Sequence, residues 1–545
     1  MAAIVISSAG MVSYSFTDSY FEISKNLEIF AKLFQELNIY YVDETKPGEL
    51  IKTGIDAMLK SLDPYTVYYP EEKIEDFKFL TTGQYGGIGS LIRKKGEHVM
   101  IAEPYEGFPA QKAGLRAGDI ILEVDGQDVK GKTTSEMSSV LKGQAKSELT
   151  IKIKRPITDE VMEKTLMRED IKVEDVPYSG ILKDGVGYVK LTSFTQTASS
   201  EVRKSIEQLK SEGMTSLVLD LRGNGGGLLR EAVEIVNLFV PKGIEVVSTK
   251  GKLKNWDRSY KTGKEPLDTE MPVTVLIDGG SASASEIVAG ALQDLDRAVI
   301  VGQKSFGKGL VQQTLSLSYN TRLKVTVSKY YIPSGRCIQK IDYSHKENGK
   351  AITIADSLAE AFQTNSGRTV YDAGGIAPDI KTEEPQYSNI TRDLSEEDLI
   401  FDFCTEYRAE NESLPKPETF TIDDAFYAKF QEYVATRNIE YKTESEELLE
   451  KLAEASKKEK YFGDIEAEYN SITKRIEESK EEDLDKHKDE IIDVLTNELV
   501  SRYYYQKGRI ISSLSKDDEI SEAIRIMKDR SIYDSILDGT YAKKE

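Results

Sequence analysis

Hydrophobic and polar positions change their period along this chain, and each change predicts a different kind of structure. Phe21, Ile23, Leu27, Phe30, Phe34 and Leu37 recur at roughly helical spacing, and a second helix is expected over 48–62, where Asp63-Pro64 stops it. Two amphipathic helices bury little alone, so they are expected to pack on a neighbour or on a second subunit. Over 85–155 the pattern shortens to strands. Gly86-Gly87-Ile88-Gly89 opens this segment, Val99-Met100-Ile101 follows, and Leu149-Thr150-Ile151-Lys152-Ile153 closes it. Between them Ala113-Gly114-Leu115-Arg116-Ala117-Gly118-Asp119 runs into Ile120-Ile121-Leu122-Glu123-Val124-Asp125-Gly126. Gly114 and Gly118 suit tight turns, and Leu115, Ile121 and Val124 are the expected core of a small barrel.

Over 186–339 strands and helices alternate. Residues 187–191, 216–221, 271–277 and 298–302 read as strands, while 199–212, the stretch through Glu231 and Val236, and 284–292 read as helices. That βαβ order predicts a mostly parallel sheet covered on both faces. Helical spacing returns in the last part, with Leu448, Leu449 and Leu452 in a run over 446–460, and Ile491, Ile492, Leu495 and Leu499 in a run over 488–505. Solvated helices do not need so many apolar positions. These are expected to pack on the body of the protein or on a second subunit, with a homodimer as the outcome.

Composition sharpens the boundary between these regions. A chain of 545 residues holds roughly three or four domains of ordinary size. Its formal charge is −21, and the segment from 391 onward carries 40 acidic against 24 basic residues with three of the 39 glycines. The first 390 residues are nearly balanced and glycine-rich; the rest is acidic, helical and solvated. No basic stripe points to nucleic acid. Cys337 and Cys404 are too few and too far apart for a zinc site or a disulfide framework, and His98, His345 and His487 are scattered, so neither a metal nor a cofactor is expected. Residues 1–12 are apolar and rich in small side chains, without a Lys or Arg ahead of them. They read as the tail of a truncated or mis-started export signal, with an ordinary buried N-terminal strand as the plainer alternative. No other apolar run approaches the ~20 residues of a membrane span.

Candidate chemistry concentrates in residues 279–312, where Gly-Gly-Ser-Ala-Ser-Ala-Ser-Glu is followed by Gly-Gln-Lys-Ser-Phe-Gly-Lys-Gly-Leu-Val-Gln. No histidine lies in a segment that reads as a buried catalytic strand or turn. A nucleophilic serine here would pass its proton to an amine. Two glycine-rich elements resemble nucleotide loops and fail on inspection. The run from Gly302 to Lys308 has Walker A spacing, but Gly309 stands where a magnesium-binding Ser or Thr is needed, and a strand rather than a helix is expected next. Arg222-Gly223-Asn224-Gly225-Gly226-Gly227 follows a strand and opens a helix, but Leu228 replaces the third glycine of a dinucleotide loop. Glycine N–H groups at a strand end suit an oxyanion instead, where each donor is worth ~3 to 4 kcal/mol. Gly226 and Gly227 are the candidates, with Ala284 as the second donor. Ser281, Ser283 and Ser285 read equally well as N-caps of the helix at 284–292, with Glu286 as capping-box partner of Ser283. Spacing alone does not choose among them.

The ordered set of motifs resembles the C-terminal processing peptidases, or tail-specific proteases. It comprises a PDZ-like module, Asp-Leu-Arg-Gly-Asn-Gly-Gly-Gly, Gly-Ser-Ala-Ser-Ala-Ser-Glu and Gly-x-x-Ser-Phe-Gly-Lys-Gly-x-x-Gln, and the likeness spans residues 48–379. The resemblance implies a Ser-Lys serine endopeptidase in which Ser283 is the nucleophile, Lys308 the general base and Gln312 the group that orients the lysine. It also implies that Gly87, Ile88 and Gly89 present N–H groups to a substrate's C-terminal carboxylate while the peptide adds to a sheet edge. The expected class is multidomain α+β and α/β: an apolar segment at 1–17, a helical region at 18–80, a PDZ-like small β-rich domain at 81–157, a mixed βαβ-type protease core at 158–390 and an acidic helical C-terminal domain at 391–545. Expected partners are proteins or peptides with exposed C-termini, in a periplasmic or otherwise extracytoplasmic, membrane-proximal setting. A non-catalytic PDZ scaffold is the rival reading. A lysine acting as a base near neutrality must be brought down from ~10.4 to ~7, about 4 kcal/mol against its charged form. Phe306, Leu310 and Val311 are expected to supply the burial, no acid lies between Lys304 and Gln313, and Lys304 is expected to be exposed.

Overall fold

The computed structural model describes residues 2–541 apart from 348, 373, 385 and 438–441. The chain divides into two compact units, Met1–Glu72 with Gln312–Thr326, and Lys73–Val311 with Val327–Glu545.

In the smaller unit the helical periodicity produces helices Ala2–Tyr40 and Pro47–Lys60, the second opened by a proline that needs no N–H partner there. Residues 2–12 are helical, which removes the strand alternative. Asp63 turns the chain after the second helix: its carboxylate accepts the N–H groups of Tyr65 and Thr66, each at 2.8 Å, and the Thr66 hydroxyl at 3.0 Å. Strand Val67–Tyr69 then pairs antiparallel, with Val67 opposite Lys324. Phe21, Ile23, Leu27, Phe30 and Leu37 are exposed in this unit. Among the described residues no helix is long and apolar enough to cross a membrane.

The larger unit is built on a six-stranded sheet in the order Tyr178–Ile181, Val186–Lys190, Ser216–Asp220, Val273–Ile277, Val299–Gly302, Ile380–Lys381. Every pair is parallel except the first. Parallel strands need both faces covered, and these strands alternate between two apolar layers. Leu217, Leu219, Val273 and Val275 face helices Ala198–Ser211, Leu229–Val236 and Ala284–Asp294. Val218, Leu276, Val299 and Val301 face the other way, onto Ile520, Ala523, Ile526, Tyr533 and Ile536 of helices Asp518–Lys528 and Arg530–Leu537. The end of the acidic region therefore supplies the second cover of the sheet. Tyr533 is sewn into it, its hydroxyl donating to the Val273 carbonyl at 3.0 Å and accepting the Val273 N–H at 2.9 Å.

The expected barrel extends past residue 155: its strands run in the order Ser90–Lys95, His98–Pro104, Ile120–Val124, Glu148–Arg155, Glu160–Met167. Leu115, Ile121 and Val124 are in its core beside Leu149, Ile151 and Ile153. Helix Thr134–Leu141 is started by a reciprocal Thr133 and Glu136 capping box. Beyond the core sheet, helices Asn389–Glu396, Leu399–Glu410, Asp424–Ala435 and Lys488–Ser513 enclose Phe403, Cys404, Phe430, Leu495 and Leu499. Helix Glu444–Glu459 leaves Leu448 and Leu452 exposed. The barrel is tied to these helices by ion pairs of Arg93 with Asp398 at 2.6 Å, Lys95 with Asp402, and Glu103 with Arg509.

If the C-terminal helices are structural cover for the sheet, Ile526→Ala costs about 2 to 5 kcal/mol in urea unfolding, as for a cavity in a closed core. Leu448→Ala costs under about 0.5 kcal/mol by the same measurement.

Candidate active site

Parallel strands Ser216–Asp220 and Val273–Ile277 end side by side, and the loops that leave them are knitted together. Asn224 is the knot. Its Nδ2 donates to the Leu191 carbonyl at 2.8 Å, and its own carbonyl accepts the Ala282 N–H at 3.0 Å and the Ser285 hydroxyl at 2.8 Å. Asp278 Oδ1 accepts the N–H groups of Gly223 and Gly280 at 2.8 and 2.9 Å, and Ser281 Oγ donates to the Leu221 carbonyl at 2.9 Å. Ser281 and Ser285 are thus fully buried and spent on holding the loops. Ser283 differs: it is half-buried, and its backbone stands at φ 57°, ψ −110°, directly before helix Ala284–Asp294. For a residue with a side chain that conformation costs roughly 1 to 3 kcal/mol. The three serines that spacing left equivalent have become different.

Gly226 shows why the loop is glycine-rich. At its φ of 96° a Cβ would lie 2.6 Å from the Ala282 carbonyl oxygen and 2.9 Å from the Ala284 nitrogen. Gly226 donates its N–H to Asn224 Oδ1 at 2.9 Å, while its carbonyl accepts from Phe194 N–H at 3.2 Å. Among the described residues the Gly227 N–H has no backbone partner, and the Ala284 N–H is one of the orphan donors of its helix.

Glu286, one turn into the helix, has no solvent exposure and accepts four hydrogen bonds. Oε2 takes the N–H of Ser283 at 2.8 Å and the N–H of Lys308 at 2.9 Å. Oε1 takes the N–H of Gly307 at 2.7 Å and the hydroxyl of Ser305 at 2.6 Å. Burial pushes this carboxyl above its ordinary range while the four donors pull against it. Only an acceptor can satisfy all four at once. The sequence pointed to Glu286 as a capping partner, and the Ser283 N–H contact fits that. It did not reveal that the same carboxylate reaches the Lys308 loop, so an acid does approach that segment, from 22 positions upstream.

Lys308 is half-buried and Leu310 buried, Val311 is partly buried, but Phe306 is 43% exposed and supplies little cover. Lys304 is exposed, as expected. Strand Leu310–Ser316 follows the loop where a nucleotide loop would need a helix. Gln312 belongs to the smaller unit, where its Nε2 donates to Thr326 Oγ1 at 3.2 Å.

In the barrel, Gly87 ends a strand paired with Glu169–Lys172, and the carbonyls of Ile88 and Gly89 accept the N–H groups of Ala110 at 2.8 Å and Tyr105 at 2.9 Å. Their own N–H groups have no backbone partner among the described residues. A Cβ on Gly89, at φ 69°, would meet Phe108 Cβ at 2.5 Å. The next strand, Ser90–Lys95, lies at the sheet edge.

Three family models match this chain: "Peptidase family S41" over 185–345, "PDZ domain" over 100–155, and "Probable PDZ-protease, C-terminal helical domain" over 390–527. A carboxy-terminal-processing protease of Bartonella bacilliformis is 39% identical over 321 residues, covering 58% of this chain and 73% of that protein. A "Probable CtpA-like serine protease" of Staphylococcus aureus is 32% identical over 388 residues, covering 70% of this chain and 75% of that protein. Among solved structures, the photosystem II D1 C-terminal processing protease matches at 27% identity with a TM-score of 0.35, over 65% of this chain and 92% of that one. The chain belongs to the carboxy-terminal-processing proteases of peptidase family S41, serine proteases with a PDZ domain.

The contact at Gly226 makes a sharp contrast with its neighbour, since a Cβ on Gly225 meets nothing within 4 Å. Gly226→Ala is expected to lower peptide hydrolysis on the order of 100-fold, and Gly225→Ala to stay within about threefold, in steady-state assays of matched, folded proteins.

Proposed function

We propose that this protein is a serine endopeptidase that cuts proteins recognised through their C-terminal tails, with Ser283 as nucleophile and Lys308 as general base. Ser283 Oγ attacks the peptide carbonyl as the Lys308 amine takes its proton, and the ammonium then protonates the leaving amine. Water, deprotonated by the same lysine, hydrolyses the acyl-enzyme and restores the serine. Gln312, four positions further along the chain, is read as the amide that orients the lysine. The oxyanion is received by the N–H groups of Ala284 and of the glycine loop. Of the two glycines, Gly227 is the better candidate, because the Gly226 N–H is already given to Asn224.

The observation that carries this reading is the shared carboxylate oxygen: Ser283 and Lys308, the two residues the chemistry needs together, both rest their N–H groups on Glu286 Oε2. Ser281 and Ser285, by contrast, are committed to buried contacts. The substrate's terminal carboxylate is read as bound at Gly87, Ile88 and Gly89, its backbone extending along the edge strand Ser90–Lys95. The reading extends to a homodimer, supported by the exposed apolar positions of helix Ala2–Tyr40, and to an extracytoplasmic location.

Ser283→Ala and Lys308→Ala should each abolish cleavage of casein while leaving the unfolding transition in place. Normal turnover in either removes the assignment. The barrel is further read as a gate, because the ion pairs of Arg93 and Lys95 hold its edge strand to the helical region. Asp398→Ala with Asp402→Ala should then change kcat on a tailless peptide by at least about threefold; a change in KM alone speaks against gating.

A further inference from the structure

At the other end of the glycine loop lies a buried ionic cluster that the chemistry above does not use. Asp220, the last residue of its strand, has no solvent exposure and accepts from the Tyr188 hydroxyl at 2.7 Å, from Lys190 Nζ at 3.1 Å and from Arg222 Nε and Nη2 at 3.0 and 2.6 Å. It also takes the Arg222 N–H at 2.9 Å, and Lys190 Nζ reaches the Arg222 carbonyl at 2.9 Å. Arg222 is therefore held at its backbone on both sides. Its guanidinium is gripped from far along the chain: Nη2 meets Asp517 at 2.8 Å, and Nη1 meets Glu519.

Glu519 is 8% exposed and belongs to helix Asp518–Lys528, whose N-cap is Asp517. Its second oxygen accepts from Thr382 Oγ1 at 2.7 Å and from Gln303 Nε2, beside the end of strand Val299–Gly302. Burial opposes the charges of Asp220 and Arg222, but the pairing prevails: the carboxyl of Asp220 is held well below the usual carboxylate range and Arg222 is held more basic than usual. Three residues separate Arg222 from Gly226. The loop is thus anchored at Arg222 by a helix that begins almost 300 residues later.

We propose that Glu519 is a positioning residue for the oxyanion-binding glycine loop, acting through Arg222. This rests on reading Gly226, Gly227 and Ser283 as the catalytic site. An isosteric neutral side chain at 519 keeps the shape but removes one of the charges that fix the guanidinium, and the loop it begins becomes less well held. An oxyanion site that is slightly displaced loses more with the transition state than with the ground state. The defect is therefore one of kcat, not of KM.

The test uses the full-length protein. Glu519→Gln is expected to lower kcat roughly 10-fold with KM within about twofold, and to weaken binding of a peptide aldehyde, which forms a tetrahedral adduct, by the same factor. Glu522→Gln on the same helix, where the partner is Arg525, is expected to match the wild type. Thr382→Val, a milder loss at the Glu519 carboxylate, is expected to give about a threefold decrease with the same signature, and it decides the matter if Glu519→Gln does not fold. Wild-type kcat in the folded variants, or a fall in kcat with unchanged aldehyde affinity, overturns the proposal. Ser283→Ala runs alongside: if it still cleaves, the reading of the site fails and this inference with it. If Ser283→Ala is inert and Glu519→Gln is fully active, only the inference fails.

Discussion

A carboxylate without solvent contact holds the centre of this molecule. Glu286 would be costly to bury as an ion, but it accepts four hydrogen bonds, and bonds to a charged group are worth about 1.5 to 3 kcal/mol each. Its placement does more than satisfy itself. Because it sits on the first turn of helix Ala284–Asp294, its position is set by the packing of that helix against the parallel sheet. One oxygen fixes the backbone before the helix, and both fix the loop at 305–308, so the serine and lysine segments are located by one rigid element rather than by two independent loops. Burial raises the pKa of this carboxyl, and the four donors that converge on it are what oppose that rise.

The strain around that centre is tolerable because so little else nearby can move. Ser283 and Gly226, both at positive φ, the latter so close to the neighbouring loop that a Cβ would come within 3 Å of it, are conformations that a loosely packed loop would relax. Here Asn224, Asp278, Ser281 and Ser285 cross-link the two loops through bonds with little or no access to water. The strands beneath are covered on one face by helices that precede or follow them closely and on the other by helices from the end of the chain. Stored strain at a site is paid for by this surrounding over-determination.

Much of this was legible in the order of residues. The barrel core at Leu115, Ile121 and Val124, the alternation over 186–302 and the helix beginning at 284 follow from periodicity, which reports local burial. The order of motifs along the chain is enough to point to the family. What periodicity could not convey was contact between distant segments. The stretch near Lys308 contains no acid, yet Glu286 reaches it through space. Ser281, Ser283 and Ser285 share the same spacing argument, and only the hydrogen bonds of the folded loops separate them. Phe306 is apolar in the sequence but exposed, because local composition says nothing about which way a tight turn directs its side chain. Helical spacing in the acidic region implied that Ile491, Leu495 and Leu499 pack on the body of the protein or a second subunit; they pack instead among the helices of the same region, while Leu448 and Leu452 carry the same pattern and stay exposed.

The acidic region is also where the net charge and the architecture meet. Its mean charge suggests a solvated appendage, but the two helices near its end carry an apolar stripe that closes the sheet, and the acidic residues at the start of the first, Asp517 and Glu519, are the ones turned toward Arg222. Two negative side chains at a helix N-terminus suit the helix dipole as well as the guanidinium, so the same residues stabilise the helix and the loop it reaches. The segment that covers this face of the sheet is also the one that grips Arg222. The core sheet becomes a closed two-faced layer only once the chain has returned from residue 390 to residue 537, which couples the integrity of the glycine loop to the last helices of the protein.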